Sequence, residues 1–136
     1  MSIKITFNKD FIKTITQAGG KLNNELNKEI SQYCHKFNKN FFVMYGQTEA
    51  TARMSYLPPN YSLSKIGSIG IAIPGGEFYI IDDRNEVILE NEIVGELVYK
   101  GDNVSMGYAL CGEDLIKGDE NNGVLHTGDL AKRDND

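Results

Sequence analysis

Apolar residues in the first 45 positions are spaced as in a strand, a helix and a second strand. Residues 11–18 alternate apolar and polar side chains, which predicts a strand, and Gly19-Gly20 predicts the turn that ends it. Asn23 or Asn24 can cap the next element, a helix whose apolar stripe is spaced by three and four residues: Leu22, Leu26, Ile30, Tyr33 and Phe37. The apolar run 41–44 predicts a short buried strand. The short links between these elements favour a parallel strand-helix-strand unit.

The pattern changes beyond Pro58-Pro59-Asn60, because prolines stop regular structure and fix extended backbone. Short runs typical of strands then dominate: 69–73, 77–82 and 96–100. Gly75-Gly76 predicts a turn, and residues 82–85 predict a polar hairpin-like loop. Frequent glycines suit a small, strongly curved sheet or barrel. Residues 118–123 are polar and charged, which predicts an exposed loop.

Together these patterns predict an α/β fold with two parts. Residues 1–60 would form a strand-helix-strand piece of a parallel sheet, and residues 61–136 a mainly β, distorted barrel-like subdomain. The first ten residues are harder to place. Ile3, Ile5 and Phe7 alternate with polar residues as in a strand, and an improvised start in a chain cut from a longer protein is the alternative.

Charge and composition narrow the classes of function. The formal net charge of −5 argues against a general nucleic-acid-binding protein, which would carry a basic face. No apolar run is long enough to span a membrane and the amino terminus lacks a signal-peptide pattern, so we expect a cytoplasmic protein. Cys34 and Cys111 lack metal-site spacing and are expected to be reduced thiols, with Cys34 in the core. His35 and His126 are too isolated to indicate a metal site.

The pentapeptide that follows the second strand combines side chains suited to a magnesium nucleotide. Tyr45 offers a flat ring on which a base can stack, and Gly46 permits a close approach to the backbone. Thr48 can donate a hydrogen bond to a phosphate oxygen, and Glu49 is a hard oxygen ligand of the kind that Mg²⁺ prefers. Ligands bind at strand ends in open α/β sheets. The alternative is a polar turn that binds nothing, because short motifs recur by chance.

Four motifs in fixed order resemble those of the adenylate-forming superfamily, which includes acyl- and aryl-CoA synthetases, peptide-synthetase adenylation domains and luciferases. They are Ala18-Gly19-Gly20-Lys21-Leu22, where the family has a small-residue turn beside adenine; Tyr45-Gly46-Gln47-Thr48-Glu49, which matches aromatic-Gly-x-Thr-Glu; Gly95-Glu96-Leu97 through Lys100-Gly101 to Gly107-Tyr108; and His126-Thr127-Gly128-Asp129. A single motif of this kind is a weak signal. Four in the same order, over nearly the whole chain, are a strong one.

The resemblance implies an internal part of the family's large N-terminal domain and assigns residues to ATP or AMP. Tyr45 would stack on adenine, with Gly46 beside it and near the acyl pocket. The backbone at Gly19, Gly20 and Lys21 would line the base and the ribose. The Gly-Glu-Leu stretch would be scaffold, without a part in the chemistry.

The resemblance also implies the groups that act on phosphate, metal and ribose. Thr48 would bind the α-phosphate and Glu49 would hold Mg²⁺, and these two are the expected catalytic residues. Asp129 would accept both ribose hydroxyls with its two oxygens. The implied reaction joins a small-molecule carboxylic acid to ATP as an acyl-adenylate, and a thiol of coenzyme A or of a carrier-protein pantetheine then displaces AMP. Catalysis would rest on positioning and charge stabilisation.

Two parts of the family's site have no match in the sequence: a Ser/Thr/Gly-rich phosphate loop before Gly19 and a lid domain that would begin beyond Asp136. We therefore expect a fragment of a ligase that is inactive alone. A non-catalytic AMP-binding remnant and a structural or interaction module are the alternatives. Since a strand-helix-strand unit separated from its sheet exposes an edge and an apolar helix face, self-association is also expected.

Overall fold

The computed structural model describes residues 11–136, so the alternation of Ile3, Ile5 and Phe7 lies outside the described part of the chain. Two compact units are present, and each is built from two stretches of sequence. The first unit runs up to Tyr45 and includes Ser55–Ile71, and the second consists of Gly46–Met54 and Ala72–Asp136. The domain division at residues 60 and 61 stays a prediction.

The predicted parallel strand-helix-strand unit is confirmed. Strand β1 spans Thr14–Gln17, helix α1 spans Asn24–Lys36 and strand β2 spans Asn40–Gln47. Strands β1 and β2 pair in parallel, with Thr14 opposite Asn40 and Gln17 opposite Val43. Asn23 is the N-cap, because its side-chain oxygen accepts a hydrogen bond from the backbone N–H of Glu25 at 2.8 Å.

The helix buries a face that is offset from the predicted apolar stripe. Its fully buried positions are Asn27, Ser31 and Cys34, while Phe37 follows the helix as an exposed C-cap. Two polar side chains can be buried here because the Ser31 hydroxyl donates to the Asn27 side-chain oxygen at 3.2 Å. As predicted, Cys34 is a core thiol, and burial raises its pKa. The core cluster of the first unit comprises Cys34, Phe41, Val43 and Leu57.

Strand β2 continues three residues beyond the predicted run 41–44, and the turn 48–50 then leads into strand β3, Thr51–Tyr56. Strand β3 was not predicted, because Met54 and Ser55 are both buried and the strand therefore lacks a clean alternation of apolar and polar residues. The strand order in this sheet is β1-β2-β3-β4, in which β4 is the short strand Ile71–Ala72.

The second unit contains a three-stranded antiparallel sheet. Its strands are β5 at Gly76–Ile81, β6 at Gly95–Gly101 and β7 at Val124–Ala131, in the order β5-β6-β7. The predicted strands 77–82 and 96–100 match β5 and β6 to within one residue. The polar loop 82–85 is confirmed as a tight turn, because one Asp82 carboxylate oxygen accepts backbone hydrogen bonds from Arg84 and Glu86, both at 2.9 Å.

Short 3₁₀ helices at Pro59–Tyr61 and Gly112–Ile116 complete the secondary structure of the described residues. The predicted α/β class, with a parallel strand-helix-strand piece followed by a mainly β part, is confirmed. Among residues 11–136, no helix has the length and apolar character needed to cross a bilayer.

Candidate functional site

The Thr-Gly-Asp motif lies on an irregularity of strand β7. Glu96 of β6 pairs with Leu130, and Val98 pairs with His126, so the single residue between them on β6 faces the three residues 127–129 on β7. The extra residues are accommodated at Gly128, whose φ of +70° is a conformation that glycine adopts without strain. Irregularities of this kind re-aim side chains and are common beside active sites. The Asp129 side chain is exposed at this point.

Hydrogen bonds to β6 and within the motif fix the backbone of residues 127–129. The Thr127 hydroxyl donates to the Leu97 carbonyl at 2.6 Å and accepts from the Asp129 N–H at 3.1 Å. The Gly128 N–H donates to Oε1 of Glu96 at 3.1 Å, and Oε2 of Glu96 lies 3.6 Å from Nδ1 of His126. Glu96, expected only as scaffold, therefore also holds the motif in place.

Gln47 connects the pentapeptide to the Thr-Gly-Asp motif. Its side-chain nitrogen Nε2 donates to the Thr127 carbonyl at 2.9 Å and to Oδ2 of Asp129 at 3.0 Å. Sequence reasoning gave Gln47 no role, because it occupies the variable position of the aromatic-Gly-x-Thr-Glu pattern. A side chain with two N–H donors at the end of a strand was the only available signal.

Glu49 lies in the turn after β2 and is held by two contacts. Its carbonyl accepts a hydrogen bond from the Ser105 N–H at 2.7 Å, and its carboxylate oxygen Oε1 accepts one from the Tyr108 hydroxyl. The Tyr108 hydrogen bond lowers the pKa of Glu49, and the same bond raises the pKa of Tyr108. Tyr108 appeared in the sequence only as part of the Gly-Tyr pattern, and its contact with Glu49 was not predicted.

Thr48 and Gly46 differ in what surrounds them. Thr48 is exposed in the turn, where its hydroxyl is accessible to a ligand. Gly46 is enclosed, because a Cβ atom built on it would lie 2.3 Å from the Thr51 carbonyl oxygen and 2.4 Å from the Ala52 carbonyl carbon. Packing between the chain before and after the turn therefore suffices to explain the glycine.

The remaining predicted residues belong to the first unit. Gly19 and Gly20 lie in the loop between β1 and α1, Gly19 has a φ of +86°, and the Gln17 side-chain amide donates to the Gly20 carbonyl. Lys21 is exposed in the same loop, and Tyr45 is half-buried within β2. Gly19 and Gly20 have open space where a Cβ would stand, so no packing contact dictates either glycine.

Glu49 offers a carboxylate that could contribute to a metal site. Within residues 11–136, no three His, Cys, Asp or Glu side chains gather as a metal-binding group. Mg²⁺ is commonly bound through one or two carboxylates together with substrate phosphates. The half-buried Glu49 carboxylate, next to the exposed Thr48, fits that arrangement.

A family profile and a curated protein both match this chain. A family profile described as AMP-binding enzyme matches residues 6–109. The 2-succinylbenzoate–CoA ligase of Bacillus cereus is 33% identical over 107 residues, which are 79% of this chain and 22% of that ligase. The chain thus spans about a fifth of the length of the curated relatives it matches.

Solved structures show the same relationship. The O-succinylbenzoate coenzyme A synthetase of Bacillus subtilis in complex with AMP superposes with a TM-score of 0.72 at 30% identity, over 91% of this chain and 24% of that enzyme. The same enzyme with ATP and magnesium ion gives a TM-score of 0.73 at 32% identity, over 93% of this chain and 25% of that enzyme. The four motifs, the fold and the profile match agree, and the chain belongs to the AMP-binding enzyme family.

Proposed function

We propose that this chain supplies nucleotide-binding residues to an AMP-forming acid–thiol ligase of the acyl-CoA synthetase type. The parent enzyme would activate a carboxylic acid with ATP and Mg²⁺ as an acyl-adenylate and pass the acyl group to coenzyme A or a carrier-protein thiol. The relatives support this reaction class, since the Bacillus cereus protein is a CoA ligase and the Bacillus subtilis enzyme was solved with ATP and magnesium.

The observation that carries the proposal is the Gln47 hydrogen bond to Asp129. Through it, residues 46–49 of the pentapeptide and the Thr-Gly-Asp motif meet within the second unit, although they are far apart in sequence. A carboxylate that is exposed and fixed in this way can accept hydrogen bonds from two neighbouring hydroxyls, as a ribose presents them. The adjacent turn carries Thr48 and Glu49, whose chemistry suits phosphate and Mg²⁺.

Each residue then has a defined task in the proposed site. Asp129 accepts the ribose hydroxyls, Thr48 donates to the α-phosphate, and Glu49 holds Mg²⁺, which when bound neutralises phosphate charge. Tyr45, Gly19, Gly20 and Lys21 belong to the first unit, and their assignment to the base and the ribose stays a prediction of the family resemblance. The fixed backbone at residues 127–129 supports catalysis by positioning.

We also propose that the 136-residue chain does not catalyse adenylation alone. Its 107 aligned residues cover 22% of the Bacillus cereus ligase, and an acyl-adenylate site needs further groups around the β- and γ-phosphates and the carboxylate. Release of pyrophosphate from ATP by the purified chain, in the presence of a panel of carboxylic acids, would contradict this part of the proposal.

Calorimetric titration with a non-hydrolysable acyl-adenylate analogue tests the nucleotide site. We expect the chain to bind the analogue and Asp129→Ala to weaken binding by at least about tenfold, because hydrogen bonds to a charged group are worth roughly 1.5–3 kcal/mol each. Asp83→Ala is the matched control, since Asp83 is an exposed aspartate in the loop 82–85 that follows β5. This variant should bind the analogue like wild type.

Two results would count against the proposal. A folded wild-type chain that fails to bind the analogue would show that these residues do not form a nucleotide site in this chain. If wild type and Asp129→Ala bind the analogue with equal affinity, the chain binds the nucleotide but Asp129 is not part of the site.

A further inference from the structure

Gln47 occupies a position from which it can control the orientation of the Asp129 carboxylate. One nitrogen, Nε2, contacts two acceptors of the Thr-Gly-Asp motif, the Thr127 carbonyl at 2.9 Å and Oδ2 of Asp129 at 3.0 Å. Because an amide nitrogen carries two hydrogens, each acceptor can receive its own N–H. The first contact fixes Gln47 against the backbone, and the second transmits that fixed position to the carboxylate.

The backbone of the motif does not by itself determine where the carboxylate points. Hydrogen bonds from Thr127 and Gly128 to β6 hold the main chain, while the orientation of the exposed Asp129 carboxylate depends on the contacts of its side chain, of which the Gln47 hydrogen bond is one. A hydrogen bond from a neutral amide to a carboxylate is charge-assisted and therefore stronger than one between neutral groups. The Gln47 contact favours one rotamer of Asp129 over the others.

The contact leaves the carboxylate able to bind a diol. Each carboxylate oxygen has two lone pairs, so Oδ2 can accept from Gln47 and from one hydroxyl at the same time, while Oδ1 accepts from the second hydroxyl. A carboxylate that is already oriented loses less conformational entropy when the ligand arrives. Gln47 therefore supports the ligand contact without competing for it.

We propose that Gln47 is a positioning residue that holds Asp129 in the orientation needed to bind the 2′- and 3′-hydroxyls of the nucleotide ribose. The inference rests on the proposed function, because it assigns Gln47 to the same nucleotide site. It predicts that Gln47 contributes to recognition of the ribose hydroxyls in particular, and little to binding of the rest of the nucleotide.

The test compares AMP with 2′,3′-dideoxy-AMP by calorimetry on the full 136-residue chain. The variant Gln47→Met keeps the length of the side chain and removes both N–H donors. We expect it to weaken AMP binding by about three- to tenfold, the range of one lost hydrogen bond, and to leave the affinity for 2′,3′-dideoxy-AMP within twofold of wild type. Gln32→Met, at an exposed position of α1, is the matched control and should change neither affinity.

A second variant separates positioning from folding. Gln47→Glu is of nearly the same size but places a carboxylate against Asp129, so it should weaken AMP binding more than Gln47→Met does. Side-chain coupling constants measured by NMR without ligand report the Asp129 rotamer. The population of the main Asp129 rotamer should be lower in Gln47→Met than in wild type.

The outcomes distinguish this inference from the proposed function. If wild type prefers AMP and Gln47→Met keeps the same preference, the positioning role is wrong and the nucleotide site stands. If Gln47→Met weakens both nucleotides equally, Gln47 acts on the structure as a whole and the positioning role is again wrong. If the folded wild-type chain binds neither nucleotide, the proposed function is refuted and the positioning role with it.

Discussion

The hydrogen bond between the Tyr108 hydroxyl and the Glu49 carboxylate shifts the pKa of both groups. Because the hydroxyl donates to the carboxylate, the bond lowers the pKa of Glu49 below its ordinary value of 4.5 and raises that of Tyr108 above 10.0. For Glu49, the stabilisation is present above the unfolded-state pKa and is lost as pH falls through the lower folded-state pKa. For Tyr108, it is present below pH 10.0 and is lost as pH rises through the higher folded-state pKa. The contact is therefore fully formed across neutral pH.

Removing the hydroxyl should shift the titration of Glu49 alone. We expect Tyr108→Phe to raise the pKa of Glu49 towards 4.5, measured from the carboxyl ¹³C chemical shift as a function of pH. Tyr79→Phe is the control, because the Tyr79 hydroxyl donates to a different carboxylate, that of Glu77. A Glu49 pKa that is the same in Tyr108→Phe and wild type would show that the contact does not persist in solution.

The sequence allowed roles to be proposed for residues of the motifs, whereas the contacts that hold these residues could not be predicted. Thr48, Glu49 and Asp129 stand in recognisable motifs. Gln47 and Tyr108 act through contacts that join residues 82 and 59 positions apart. No local spacing encodes such contacts, because they depend on how separate strands come together.

Among the elements, the turn between β2 and β3 has a geometry that depends on a single residue, Gly46. Both strands lie next to each other in the sheet, and the chain reverses within residues 48–50. Gly46 permits this arrangement, because a Cβ atom at this position would overlap the Thr51 and Ala52 backbone. The turn that carries Thr48 and Glu49 therefore depends on a glycine that precedes it.

A methyl group at this position should destabilise the chain. We expect Gly46→Ala to lower the free energy of unfolding by about 1–3 kcal/mol, the usual cost of overpacking, measured by urea denaturation. Gly20→Ala is the matched control and should change stability by less than about 0.5 kcal/mol, since a Cβ at Gly20 meets no atom within 4 Å. Equal stability of Gly46→Ala and wild type would mean that the backbone adjusts here at little cost.

Elements with regular periodicity were predicted well, and elements defined by their partners were not. The alternation before Gly19 and the stripe of α1 gave the type and order of these elements, although the face that α1 buries is offset from that stripe. Strand β3 was missed since it buries neighbouring residues, Met54 and Ser55, on what a simple pattern treats as opposite faces. The irregularity at residues 127–129 is set by pairing with β6, which the sequence of β7 does not reveal.

For the whole molecule, exposed apolar surface is the feature with the clearest consequence. Leu110, Leu115 and Ile116 are 93%, 78% and 89% exposed, and among the strands of residues 11–136 β1 lies at one edge of its sheet. Apolar surface and open strand edges both promote association between chains. We expect the weight-average mass in sedimentation equilibrium to rise with protein concentration.

Two substitutions identify the surface responsible. Ile116→Lys should reduce association if the apolar stretch carries it, and Thr16→Lys should do so if the β1 edge carries it, because charged side chains on an edge disfavour pairing. A strictly monomeric chain at high concentration would contradict the expectation for both surfaces.

The hydrogen bond from Gln47 to Asp129 spans 82 positions, which has a consequence for the chain during its synthesis. A ribosome adds residues from the amino terminus, so the β2–β3 turn emerges well before its partner on β7 has been made. Closing a loop of this length is also among the slower contacts to form. The proposed ribose site is thus completed only after β7 has been made, and a nascent chain stalled before residue 129 would present Thr48 and Glu49 without the carboxylate that completes the site.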